Sequence, residues 1–105
     1  MIIIEQTKQK EILINTIPSF LLNDGRVCSA WLFGSFSRGD NTLNSDLDLC
    51  IEFNTQKKYS LFDLVDLACL LEKQINIKVD LVEKGNIKDF AFQSSKNDFV
   101  KIYGD

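Results

Sequence analysis

The sequence of 105 residues contains no histidine, and this absence excludes several kinds of catalytic site. A Ser-His or Cys-His catalytic pair needs an imidazole and cannot be built here. A zinc site would need thiolates alone, and the wide spacing of Cys28, Cys50 and Cys69 does not indicate one. Their odd number and apolar surroundings predict reduced cysteines in the core of a cytoplasmic protein.

Long apolar runs and an excess of basic charge are also missing. No stretch approaches the ~18 apolar residues of a membrane span, and Met1–Glu5 lacks the basic and apolar regions of a signal peptide. The formal net charge is −3, so we expect neither membrane contact nor direct binding of nucleic acid. Length and ordinary composition predict one soluble domain over residues 1–105.

Helical patterns alternate with strand patterns, which predicts an α/β (α+β) fold with helices packed on a sheet. Apolar residues at helical spacing predict a helix over about Lys8–Ile17, which the only proline, Pro18, should break or kink. Another helix should begin at Ser60, with Asp63 as the acidic partner in a capping box. We expect its buried stripe to contain Leu61, Leu64, Val65, Ala68 and Leu71, and to continue to Ile75.

Short apolar stretches predict the strands. Val27–Phe33 is an apolar run of the kind found in buried strands. Apolar and polar residues alternate over about Leu47–Ile51, with the two leucines directed into the core. Further elements are expected as strands at Ile77–Val82 and Phe99–Tyr103, with a short helix over about Ile87–Ser94.

Three aspartates lie within these strand patterns, although aspartate is depleted in strands. Asp46 and Asp48 occupy positions i and i+2, which point to the same face roughly 6–7 Å apart. Asp80 lies in the next strand, where a neighbouring position would bring it to the pair. Such carboxylates can hold Mg²⁺ through oxygen ligands. Taken singly, each acid is more typical of the solvent-exposed face or the end of a strand than of a metal site, because Asp-x-Asp is a short motif.

The turn after the first apolar strand has the residues of an anion site. Gly34 allows a ligand to approach the backbone closely, and the start of the next helix offers free N–H groups to a phosphate. Ser35 adds a hydroxyl and Arg38 a cation. An ordinary strand-to-helix turn would look the same. A P-loop is excluded because Lys and Ser/Thr do not follow Gly39.

The combined pattern resembles the nucleotidyltransferase superfamily that includes DNA polymerase β. It consists of Gly34-Ser35, a spacer of ten residues, the pair Asp46 and Asp48, and the later Asp80. The chain length and the form of residues 34–39 bring it closest to the minimal nucleotidyltransferases, the small antitoxin partners of HEPN proteins. The resemblance covers about Val27–Val82 and implies a mixed central sheet flanked by helices.

The resemblance also implies a mechanism. The nucleotide, ATP, would be held by Gly34, Ser35 and Arg38, and two Mg²⁺ ions by Asp46, Asp48 and Asp80. Asp80 would help to deprotonate the attacking hydroxyl, and pyrophosphate would leave in a two-metal displacement. The expected acceptor is a helical HEPN ribonuclease toxin, because the chain is too short for an acceptor domain. Two alternatives remain: an antitoxin that inhibits by binding alone, and transfer to a small molecule such as an aminoglycoside.

Overall fold

The computed structural model of the protein describes residues 2–39, 41–42, 45–86 and 99–104. Within them the strands form one sheet in the order β3-β2-β1-β4. β2 and β3 are parallel, whereas β1 is antiparallel to both of its neighbours. This mixed sheet with helices confirms the predicted fold class. The elements in chain order are α1 (Ile2–Asp24), β1 (Val27–Phe33), α2 (Gly34–Arg38), β2 (Leu47–Phe53), α3 (Leu61–Ile75), β3 (Val79–Glu83), a short 3-10 helix (Lys84–Asn86) and β4 (Val100–Tyr103).

Helix α1 is longer than predicted and runs through Pro18, so the expected break is absent. Pro18 has no N–H to donate to the preceding turn, which costs about 3 kcal/mol inside a helix. Leu13, Ile17 and Leu21 lie on both sides of it and are almost completely buried in the core. Burying each such side chain contributes about 1.5–3 kcal/mol, and together they outweigh the cost of the proline. No helix among the described residues is both long enough and apolar enough to cross a membrane.

The strands match their predicted positions closely. β1 has the predicted bounds, and β2 buries Leu47 and Leu49 while leaving Asp48 partly exposed. β3 begins at Val79, two residues later than expected, and β4 begins at Val100. The predicted helix near residues 87–94 lies outside the described residues.

The apolar face that α3 buries agrees with the prediction only in part. Leu71 is fully buried as expected, and Leu67 is also fully buried, whereas Leu61 and Val65, which we expected inside, are exposed. Leu64 and Ile75 pack against the core as expected. Periodicity could not select the correct face because the helix is apolar around most of its circumference.

The three cysteines are free thiols with different surroundings. Cys50 is buried, Cys28 is half-buried and Cys69 is exposed, so the expectation of a core position is wrong for Cys69. It lies on the outward side of α3, which the sequence pattern did not distinguish from the inward side. Burial raises the pKa of the Cys50 thiol to about 11, which keeps it protonated at neutral pH.

Arg26 joins the end of α1 to the start of α3. Its guanidinium donates to both carboxylate oxygens of Asp24, at 2.8 and 2.9 Å. One of its nitrogens also lies 3.1 Å from Asp66 and 3.5 Å from Asp63. The hydrogen bonds from Arg26 hold the pKa of Asp24 below its usual value.

The capping box predicted at the start of α3 is confirmed, because the Ser60 N–H donates to Asp63 at 2.9 Å.

Replacing Arg26 with Met should lower the free energy of unfolding at pH 7 by about 1.5–3 kcal/mol, the range for a hydrogen bond to a charged group. Because the folded-state pKa of Asp24 is depressed, this contribution is present above pH 3.8 and is lost as the pH falls through the folded value. Urea unfolding of the wild type and the variant at pH 7 and well below pH 3.8 measures the contribution of Arg26 with Asp24 ionised and with Asp24 protonated. A loss of equal size in acid would show that Arg26 acts through packing instead.

Candidate functional site

The three predicted aspartates lie at the end of the sheet where β2 and β3 begin. Asp48 and Asp80 are partners in the parallel register of these strands, so their side chains project from the same face. Asp46 directly precedes β2, two residues before Asp48, and this spacing places both residues on the same face of the sheet. Asp46 and Asp80 are exposed, while Asp48 is half-buried. The sheet therefore places the three aspartates along one of its edges, on the same face.

The charges around Asp48 show how closely these groups interact. Burial is the largest cause that raises the pKa of Asp48, and the negative charges of Asp80 and Asp46 raise it further. The positive charge of Arg38 acts in the opposite direction. Like charges held close together disfavour ionisation, and an opposite charge favours it. Four of the six predicted site residues are thus electrostatically coupled.

Gly34 begins α2 directly against Asp48. Its φ is +73°, in the left-handed region that favours glycine. A Cβ at this position would overlap the carboxylate of Asp48 and lie only 3.0 Å from its Cγ. Glycine is therefore needed both for the backbone conformation and for the approach of the acid. The same contact places the Asp48 carboxylate beside the first turn of α2.

The remaining predicted residues, Ser35 and Arg38, lie on α2 itself. Ser35 is half-buried and Arg38 is exposed. Phe36 turns inward and is part of the core. The helix ends at Gly39, whose N–H donates to the Ser35 carbonyl at 2.9 Å. This short helix thus brings a hydroxyl and a guanidinium close to the acidic edge of the sheet.

The donor set suits a divalent cation, although the side chains do not yet converge on one point. The described residues include no group of three acidic or cysteine side chains close enough together to hold a metal ion. Carboxylate oxygens are nevertheless the ligands that Mg²⁺ prefers. A cation here would relieve the repulsion that raises the pKa of Asp48. Asp46 and Asp80 are exposed, so their side chains can turn towards it without disturbing the core.

Sequence reasoning missed Phe33, the last residue of β1. It is the partner of Asp48 in the antiparallel register of β1 and β2. Its ring stacks on Phe99, with the ring centroids 4.6 Å apart. The pair forms an apolar wall beside the carboxylates. The available signal was its position directly before Gly34, but only the strand register shows which acid it faces.

Comparisons with known proteins show the family of the chain. The chain matches a family model described as a nucleotidyltransferase domain over residues 14–103. A Methanocaldococcus jannaschii protein, named as a candidate protein adenylyltransferase, is 35% identical over 94 residues. That alignment covers 89% of this chain and 93% of the relative.

Solved structures with the same fold are also available. A crystal structure described as a toxin–antitoxin with AMP-PNP superposes with a TM-score of 0.72 at 26% identity, covering 88% of this chain and 73% of the other. A tri-AMPylated Shewanella oneidensis HEPN toxin in complex with an MNT antitoxin gives a TM-score of 0.61 at 20% identity, covering 95% and 73%. At that identity the second likeness concerns the fold alone. The chain belongs to the nucleotidyltransferase domain family.

Proposed function

We propose that this protein transfers AMP from ATP to a partner protein, and that the partner is a helical HEPN toxin silenced by the modification. The observation that carries the proposal is the Asp48 carboxylate, which packs against Gly34 and lies in register with Asp80. The similarity to a protein adenylyltransferase and to a chain of a toxin–antitoxin complex supports a protein acceptor. In this proposal the protein is a cytoplasmic antitoxin.

The nucleotide would lie with its triphosphate at the start of α2. N–H groups in the first turn of that helix, together with the Ser35 hydroxyl, would donate to phosphate oxygens. Arg38 would add positive charge near the same phosphates, since its charge already reaches Asp48. Gly34 would leave room for both the phosphate and the neighbouring carboxylate. These groups orient the α-phosphate towards the acidic edge of the sheet.

The carboxylates would hold two Mg²⁺ ions through Asp46, Asp48 and Asp80. When bound, such ions neutralise the charge that develops on the attacking and leaving oxygens. Asp80 is exposed at the edge of the site, where its carboxylate can take the proton of an incoming hydroxyl. The acceptor oxygen then bonds to the α-phosphorus as pyrophosphate leaves.

The proposal is tested by the intact mass of the partner after incubation with this protein, ATP and Mg²⁺. The acceptor in this test is a HEPN toxin, and its mass should rise by whole AMP residues. Asp46→Asn should abolish the rise, because it removes one ligand. Glu52→Gln is the matched control, since it removes an exposed charge of β2 outside the site and should leave transfer unchanged.

Two other results would refute the proposal. An unchanged partner mass together with full inhibition of the partner would favour an antitoxin that acts by binding alone. AMP found on an aminoglycoside, with the partner unmodified, would favour transfer to a small molecule.

A further inference from the structure

Helix α3 carries apolar side chains on its outward side as well as its inward side. Two neighbouring ridges of residues four apart lie outside, Leu61–Val65–Cys69 and Phe62–Asp66–Leu70. We refer to these six residues as the outer ridges of α3. Phe62 is 87% exposed, Leu61 72% and Val65 54%. A helix that is apolar all round is normally covered on every side.

Among the residues whose side chains are described, 11–39, 41–42, 45–85 and 99–104, the exposed apolar surface concentrates on this helix. Elsewhere in these ranges, large exposed apolar side chains occur singly, as Ile12 and Leu22 on α1 and Val100 on β4. An aromatic side chain alone can bury about 150–250 Å². Phe62, Leu61 and Val65 together therefore offer a patch on the order of a few hundred Å², the size of functional patches on soluble proteins.

We infer that the outer ridges of α3 dock the acceptor protein through one of its helices. This inference rests on the proposed function, in which a protein receives the AMP. Two parallel ridges enclose a groove, and helices pack by inserting a ridge of one into a groove of the other. The helix that fits has an apolar ridge at a spacing of three and four residues, like other helix-in-groove ligands.

The charge of the outer ridges of α3 further restricts which helices can bind there. Asp66 lies within one outer ridge and its side chain is 61% exposed, while Asp63 is partly exposed beside it. Arg26 contacts both acids but is only 17% exposed, so the outer surface of the first two turns of α3 remains acidic. The docking helix should therefore carry basic side chains next to its apolar ridge.

A second copy of this chain fits less well. A two-fold interface brings the same patch of both subunits together. The most exposed apolar residues and both acids lie within the first two turns of α3. Symmetric pairing around Phe62 would therefore place Asp63 and Asp66 near the same acids of the other copy, which is unfavourable. The surface suits a partner of opposite charge.

The position of α3 explains how docking would serve transfer. Leu67 and Leu71 pack in the same core as Leu47 and Leu49, so α3 covers the face of the sheet opposite to Asp48. A docked helix would leave the catalytic edge open. Anchoring the acceptor raises its effective concentration at that edge without contributing to the chemical step. Loss of docking should thus change KM for the acceptor and spare kcat.

The test uses the full chain with Phe62→Ser and, separately, Val65→Ser. The control is Ile12→Ser, which removes a side chain of α1 with the same 54% exposure as Val65. Calorimetric titration with the HEPN acceptor, without ATP, gives Kd, and transfer rates at varied acceptor concentration give KM and kcat. We expect Phe62→Ser to raise Kd and KM by at least about 30-fold, the effect of a hot-spot residue. The Kd and KM of the Ile12→Ser variant should match those of the wild type, and kcat should be unchanged in all variants.

Each other outcome has a definite meaning. An unchanged Kd in a folded Phe62→Ser variant overturns the inference, as does a wild-type protein that does not bind the acceptor. A wild-type dimer in light scattering that Phe62→Ser converts to a monomer assigns the ridges to a second copy and also overturns it. Tight binding lost in Phe62→Ser, with no AMP on the acceptor, supports docking while refuting the proposed transfer.

Discussion

Replacing Gly34 with Ala should lower the rate of AMP transfer by at least about 100-fold while leaving the protein folded. The added methyl group would overlap the Asp48 carboxylate, so either that acid or the start of α2 must move. A displacement on the order of 1 Å at a reacting group can cost about 10²-fold in rate. The left-handed backbone at φ +73° adds strain of about 1–2 kcal/mol.

Gly39→Ala separates these two effects. Gly39 ends the same short helix with φ +82°, and a Cβ there meets no atom within 4 Å. This variant has the backbone strain without the overlap, so it should keep most of the transfer rate. Initial rates at saturating ATP and partner, together with melting curves, compare the two variants. Equal loss of activity in both would show that the approach of Asp48 to Gly34 is unimportant.

The sequence predicted the parts of the site that depend on neighbouring residues. The apolar run of β1 ends at Gly34, which correctly located the turn into α2. The alternation around Asp48 correctly directed Leu47 and Leu49 into the core. Side chains two apart in a strand share a face whatever the rest of the fold does. For that reason the grouping of Asp46 with Asp48 could be predicted without the structure.

Features set by distant contacts could not be predicted in this way. The fit of Asp48 against Gly34 depends on the register of β1 and β2, which no local pattern specifies. Pro18 signals a break, but tertiary packing on both sides of it decides the outcome. Arg26 draws its partners from two helices that are far apart in the sequence. Local propensity is a weak guide wherever such packing contributes more.

Part of the buried face of α3 was assigned wrongly for a related reason. Both sides of this helix carry apolar residues, so the helical period placed Leu61 and Val65 in one stripe with Leu71, although only Leu71 of these three faces the core. If the outer ridges of α3 bind a partner, the sequence encodes two apolar faces on this helix. One packs against the core of the same chain, and the other is buried only in the complex. The misassigned stripe is then itself a sign of an interface.

Asp48→Asn should eliminate transfer and at the same time stabilise the fold at pH 7. The variant loses a carboxylate that we assign to metal binding. Metal-ion catalysis supplies several kcal/mol, and each 1.36 kcal/mol is a factor of ten in rate, so we expect a loss of about 10³-fold or more. The stability gain follows from the raised pKa of Asp48, which burial and the charges of Asp80 and Asp46 produce.

The direction of the pH dependence is fixed by that shift. A raised folded-state pKa means that the folded protein holds the Asp48 proton more tightly than the unfolded chain does. Ionisation of Asp48 therefore costs stability as the pH rises from 3.8 through the folded value, and the full cost is present above it. Asparagine has no such cost. The variant should melt at a higher temperature than the wild type at pH 7, and the difference should vanish below pH 3.8.

Added Mg²⁺ should raise the melting temperature of the wild type above that of Asp48→Asn. A cation that binds only the folded state stabilises it by RT ln(1 + c/Kd), where c is the concentration of the free cation, so the melting temperature rises with that concentration. The wild type should therefore gain stability with Mg²⁺, whereas Asp48→Asn should gain little. Glu52→Gln is the control, because it removes one exposed charge from the same strand and should preserve both transfer and the response to Mg²⁺. An Asp48→Asn protein that melts lower than the wild type at pH 7 without metal would show that Asp48 holds the fold together, and its loss of transfer would then say nothing about metal binding.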